Sequence, residues 1–195
     1  MSAPSTNHAF FLPERYDLWA LVGLCILCVG ILMPVLGVWE PWEAENAFII
    51  ERMLDTGQWF EVSVDGKRFL SELPFAWWPS AFISSFIGLS EVSMRLPGLV
   101  LCIITTLLLF QVTRDVFDRL SAWFAILALL AMPLFTYHAR LSMGLAPVMC
   151  GATISSLCFL KVLTDDSAGR RWTWFAWLAA AYAGLAGGLT GLLVP

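Results

Sequence analysis

Long apolar runs alternate with short polar connections along the chain, and their spacing predicts helices in a bilayer. Residues 1–17 are polar and carry Arg15, after which 18–38 runs without a single charge. A run of that length spans a hydrocarbon core. It is too long for the core of a cleaved signal peptide and lacks the small-residue exit. It therefore predicts a retained first transmembrane helix, bent near Pro34. Further apolar runs at 96–113, 120–137, 141–160 and 172–195 complete a predicted all-α, polytopic bundle of about five spans.

The stretch 39–95 is different, with nine acids against four bases, and belongs in water or at the membrane surface. Within it, residues 43–56 place Ala47, Ile50 and Leu54 on one helical face, with acids in the first turn and Gly57 at the expected stop. That pattern predicts an amphipathic juxtamembrane helix. Residues 74–89 are rich in Phe and Trp but short and interrupted by Pro79, which predicts an interfacial or re-entrant helix rather than a span. The organisation expected is a cytoplasmic segment 1–17, a first span 18–38, an external loop 39–95 with interfacial helices, and four spans within 96–195.

Charge fixes the expected orientation. The connections 114–119 and 161–171 hold five basic residues, whereas the joint at 138–140 holds one. The positive-inside rule then puts the first two in the cytoplasm, the N-terminus with them, and the acidic first loop outside. The membrane expected is a bacterial inner membrane. Composition agrees: 59% apolar and 13% charged residues and a mean hydropathy of +0.77 exclude an ordinary soluble domain. The ten tryptophans suit membrane boundaries. All five cysteines fall in apolar runs, so Cys25 and Cys28, although spaced C-x-x-C, read as buried thiols without disulfides. His8 and His138 lie far apart without companion ligands, so no metal or other cofactor is expected. Nucleic acid is excluded as a partner by the lack of a basic patch interleaved with aromatics. Gly184, Gly187, Gly188 and Gly191 set small residues four apart twice over, a device for close helix packing within the chain or against a partner.

Several segments together resemble the GT-C glycosyltransferases of the protein O-mannosyltransferase and lipid A aminoarabinose transferase group. They are residues 39–45 (WEPWEAE), 50–59 (IERMLDTGQW), 66–78 (GKRFLSELPFAWW), 88–97 (GLSEVSMRLP) and 185–195 (LAGGLTGLLVP), in the family's order and spacing. The resemblance covers nearly the whole chain and corresponds to the N-terminal part of a longer scaffold. It implies transfer of a sugar from a polyprenyl-phosphate carrier to an acceptor at the external membrane face. An acid of the first loop would act as base, and cations would hold the departing phosphate.

On that resemblance Glu43 is the candidate base, and Glu45, Lys67, Arg68 and Arg140 are candidate substrate-binding residues. The competing structural readings make Glu43 and Glu45 first-turn acids complementing a helix dipole, and Arg140 an anchor reaching to the headgroups. The chain departs from the family pattern at several places. Trp42 stands where the leading aspartate belongs, Glu72 where a lysine does, Leu145 to Pro147 where a second aspartate does, and Thr190 where a lysine precedes glycine. The alternative to an active transferase is a catalytically silent accessory subunit of a larger membrane assembly, with other membrane proteins as partners. A channel is disfavoured, because the later spans carry almost no charge to line a polar path.

Overall fold

Apolar sequence without water leaves the backbone to satisfy its own hydrogen bonds, and this chain does so almost wholly as helix. The computed structural model describes residues 13–31, 33–35, 37–38, 41–60, 63–64, 67–68, 74–142, 145–165 and 169–193, with the side chains of 42, 63–64, 67–68 and 188–193 outside that description. Its α-helices are α1 (Asp17–Cys25), α2 (Trp42–Thr56), α3 (Trp78–Ile87), α4 (Glu91–Val116), α5 (Arg119–Ala131), α6 (Pro133–Arg140), α7 (Leu145–Thr164) and α8 (Arg170–Leu193). Among the described residues a small hairpin, β1 (Ser63–Val64) and β2 (Lys67–Arg68), pairs antiparallel between α2 and α3.

Among the described residues, α4 and α7 are each long and apolar enough to cross a membrane, and α5 with α6 makes a third span if the bent pair acts as one. The run 120–137, expected as one helix, is instead broken by 66° between α5 and α6. The cause is Pro133. A residue before proline is pushed out of the helical region, and Met132 accordingly sits at φ −71°, ψ 116°. The joint expected at 138–140 is the last turn of α6. The first helix changes form before Pro34. From Ile26 to Gly30 it widens into a π-type turn, closed by Ile31 N–H donating to the Ile26 carbonyl at 2.9 Å.

α4 is the hub, packing against α1, α3, α5, α6 and α7. Its start is fixed by a capping box, in which the Ser90 side chain accepts from Ser93 N–H and Ser93 Oγ accepts from Ser90 N–H. The helix begins at Glu91, ahead of the apolar run, so Arg95 lies inside it. Pro97 withholds one N–H from the preceding turn, where Ser80 Oγ donates to the Met94 carbonyl at 2.9 Å. Glycine permits two close approaches. A Cβ on Gly98 would stand 2.5 Å from the Ala139 carbonyl oxygen of α6, and one on Gly151 of α7 would stand 2.9 Å from Ala183 Cβ of α8. Gly184 is buried on α8, and Gly187 lies on the same helix. Gly188 and Gly191 belong to it by backbone, their surroundings lying outside the described residues.

The main apolar cluster joins Leu21, Cys25 and Val29 to Cys102, Phe110, Ile126 and Cys150. A second one joins Ile49, Ile50 and Met53 of α2 to Trp77, Ala81 and Met94. The helix expected over 43–56 therefore exists and ends at Gly57 with φ 68°, the left-handed conformation glycine adopts freely. Its inward face is packed on protein. α3, ten residues long, extends about 15 Å, half of a hydrocarbon core.

Candidate functional site

The polar residues with the most extensive buried connections lie where α2 meets the start of α4. α2 opens with Glu43 and Glu45 in its first turn and no side-chain cap. Glu43 points inward and is fully buried, as is the guanidinium of Arg95. The two form a planar fork: Arg95 Nε donates to Glu43 Oε1 at 3.0 Å and Nη2 donates to Oε2 at 2.6 Å. This is the bidentate match for which arginine's geometry suits a carboxylate.

Arg95 also donates to backbone. Nη1 reaches the Met33 carbonyl at 2.6 Å and Nη2 the Gly37 carbonyl at 3.0 Å, in the segment where the first helix has come apart. Glu43 Oε1 also accepts from Ser142 N–H at 2.8 Å. One turn along α2, Asn46 donates to the Ser142 carbonyl and accepts from Trp77 Nε1 at 2.6 Å. Residues 43 and 46, three apart on one helix face, thus grip both backbone polar groups of Ser142. A single network ties the end of the first helix, α2, the turn before α3, the start of α4 and the segment after α6.

Burial of a charge pair is tolerable only when such hydrogen bonds complete it. As arranged, the pair is a fastening, and Glu43 is screened from solvent and accepts from Arg95 Nε and Nη2 and from Ser142 N–H. Proton abstraction by it requires an acceptor hydroxyl to reach a fully buried carboxylate. Beside the network, a cavity of about 20 Å³ touches Ser80, Ser142 and Tyr182, room for a water and not for a sugar.

The other predicted residues are placed elsewhere. Glu45 is partly exposed on the first turn of α2. Lys67 and Arg68 form β2, paired with Val64 and Ser63, their side chains lying outside the described residues along with those of Trp42 and Thr190. Glu72 lies outside them entirely. Ala146 and Pro147 are buried at the start of α7. Arg140 does not reach to the headgroups as an anchor would: its Nε donates to the Cys28 carbonyl at 3.0 Å and Nη2 to the same oxygen. That carbonyl lies in the π-type turn, and Arg140 gives it two donors.

Among the described residues Glu43 is therefore brought together with Arg95 and Ser142, while Arg140 is directed to the Cys28 carbonyl. Arg95 is the residue sequence reasoning missed. Its signal was an arginine two positions before Pro97, at the lip of an apolar run, where an ionisable side chain is expected to pair. Among the described residues no group of three or more His, Cys, Asp or Glu could hold a metal.

Helices that cross a membrane, an acidic loop folded back on them and a charge pair at the junction define a polytopic membrane protein with an ordered loop region. The chain belongs to the dolichyl-phosphate-mannose-protein mannosyltransferase family, whose model matches residues 71–194. Its structure is similar to that of ArnT from Cupriavidus metallidurans bound to undecaprenyl phosphate, with a TM-score of 0.83 and 21% identity over 92% of this chain and 34% of that one. The apo structure of the same protein gives 0.82 and 22% over 90% and 33%. At that identity the likeness is one of fold. The chain spans about a third of the length of ArnT. No curated protein matches it by sequence. The chain is a GT-C glycosyltransferase-like integral membrane protein.

Proposed function

We propose that the chain forms the membrane module of a glycosyl transfer that uses a polyprenyl-phosphate sugar at the external face of a bacterial inner membrane. The observation carrying this reading is the fold shared over 92% of the chain with a protein crystallised with undecaprenyl phosphate. Family membership points the same way. The orientation rests on the basic connections at 114–119 and 161–171.

In this reading the acceptor hydroxyl displaces a donor from Glu43 and gives it a proton. The acceptor oxygen forms the new bond to the sugar carbon as the bond from that carbon to the carrier phosphate breaks. The phosphate leaves with the electron pair, and Lys67 and Arg68 on the hairpin meet its growing charge. Glu45 borders the acceptor, and Arg140 supports the site through Cys28. The accessory-subunit reading gains no support over this one.

The test is native mass spectrometry of the purified chain with undecaprenyl phosphate in competition with phosphatidylglycerol. The expected result is retention of undecaprenyl phosphate, reduced roughly tenfold when Lys67 and Arg68 are both replaced by alanine. Equal retention of the two lipids by the unaltered chain overturns the reading. If the carrier binds, Glu43→Gln should then abolish transfer while leaving binding in place.

A further inference from the structure

At the opposite end of the bundle from Glu43, a groove between α1 and α4 holds a cavity of about 330 Å³, within the range of sites that hold small ligands. The two helices run antiparallel. Arg95, early in α4, binds carbonyls beyond the end of the first helix, whereas the last turns of α4 line this groove with the start of α1. Polarity is graded along it. Leu21, Leu107 and Phe110 form its apolar part, and Glu14 and Arg114 stand at its charged end.

The charges there are not all committed. Asp17 also borders the groove but is taken by Arg119, whose Nε and Nη2 donate to its two oxygens at 2.8 and 2.6 Å. Arg114 is nearly half exposed and approaches Asp115 only at 3.5 Å. Glu14 is exposed. One anion and one cation therefore flank the polar end of an apolar groove that runs into a membrane-spanning helix pair. An amphiphile suits this gradient, and a headgroup carrying both signs suits the pair.

We propose that this groove binds a zwitterionic aminophospholipid of the surrounding membrane. Its phosphate meets Arg114, its primary ammonium donates to Glu14, and an acyl chain lies along Leu21, Leu107 and Phe110. Three N–H donors distinguish such a headgroup from choline, whose quaternary nitrogen has none, and from glycerol, which offers no cation. The assignment is independent of whether the opposite end binds a polyprenyl phosphate.

The experiment is native mass spectrometry of the 195-residue chain equilibrated with equal amounts of phosphatidylethanolamine, phosphatidylcholine and phosphatidylglycerol of matched acyl chains. The expected result is retention of phosphatidylethanolamine over each of the others by roughly fivefold, since the charges are partly exposed. Glu14→Gln should remove the preference over phosphatidylcholine, and Arg114→Gln should weaken retention of all three. Both side chains are at the surface, so an unchanged thermal midpoint is expected and certifies folding. Equal retention of the three lipids, or a preference that survives Glu14→Gln, overturns the proposal.

Discussion

Among the described residues two arginine–carboxylate forks, one near each end of the bundle, are alike in their paired hydrogen bonds and opposite in setting. Arg95 meets Glu43 and Arg119 meets Asp17 with the same closest distance, 2.6 Å. The first pair has no exposed side-chain surface, while Arg119 is 24% and Asp17 6% exposed. The first also binds backbone at Met33, Gly37 and Ser142. Ion-pair geometry alone therefore says little about what a pair contributes. Burial, and the number of segments that depend on it, decides.

The sharpest way to break the comparison is to remove one partner at each end. Arg95→Met leaves the Glu43 carboxylate buried and frees the carbonyls of Met33 and Gly37. It should lower stability by about 3–5 kcal/mol, read as the thermal midpoint in a fixed detergent. The double variant with Glu43→Met should recover much of that loss, because replacing a whole buried pair by apolar side chains is often close to neutral. A double variant as unstable as the single would shift the weight from the charges to the backbone contacts of Arg95.

A smaller effect is expected from Gly98→Ala. The new methyl would press on the Ala139 carbonyl at 2.5 Å and push α6 outward, three residues before Ser142. Overpacking of this kind costs about 1–3 kcal/mol. Part of that loss should disappear in the Glu43→Met background if the displacement acts through the Ser142 contact. Smaller again, Asp17→Asn should cost no more than about 1 kcal/mol, as a partly exposed pair does. Raising the salt to roughly 1 M should shrink that cost, since exposed charges are then screened within about 3 Å, while leaving the Arg95 effect unchanged. Equal salt sensitivity at the two ends would remove the distinction.

What the sequence disclosed and what it withheld follow the same divide between local and tertiary causes. The helix over 42–56 and its stop at Gly57 were legible because a period of apolar positions, first-turn acids and a glycine are all local signals. The shortness of α3 was legible for the same reason. Pro133 was a local signal too, and reading 120–137 as one unbroken helix overlooked it. The Glu43–Arg95 fork joins residues 52 apart, and no periodicity reports such a pairing. Arg140 illustrates the same limit. Its partner, the Cys28 carbonyl, lies where the first helix widens into a π-type turn, and apolar residues at 26–30 give no hint of that. The alignment of acids and cations with a family pattern supplied candidates for chemistry, whereas their partners came from the fold.

The smallest expected effect belongs to Asp118, beside Arg119 at the exposed end. It caps α5, accepting from Ser121 N–H at 2.7 Å. Hydrogen bonds from the Ser121 side chain, then from its backbone, hold its carboxyl below the ordinary value of 3.8. A depressed value in the folded state means that the carboxylate contributes stability fully above the unfolded value and loses it as pH falls through the folded one. Asp118→Asn retains a capping oxygen but no titrating charge. The difference in thermal midpoint between the parent chain and this variant should therefore be constant from neutral pH downward and shrink only below about pH 3.8. A difference that stays constant through that range would mean that the cap works as a neutral acceptor, leaving the ion pairs of Asp17 with Arg119 and of Asp115 with Lys161 as charge interactions at this end.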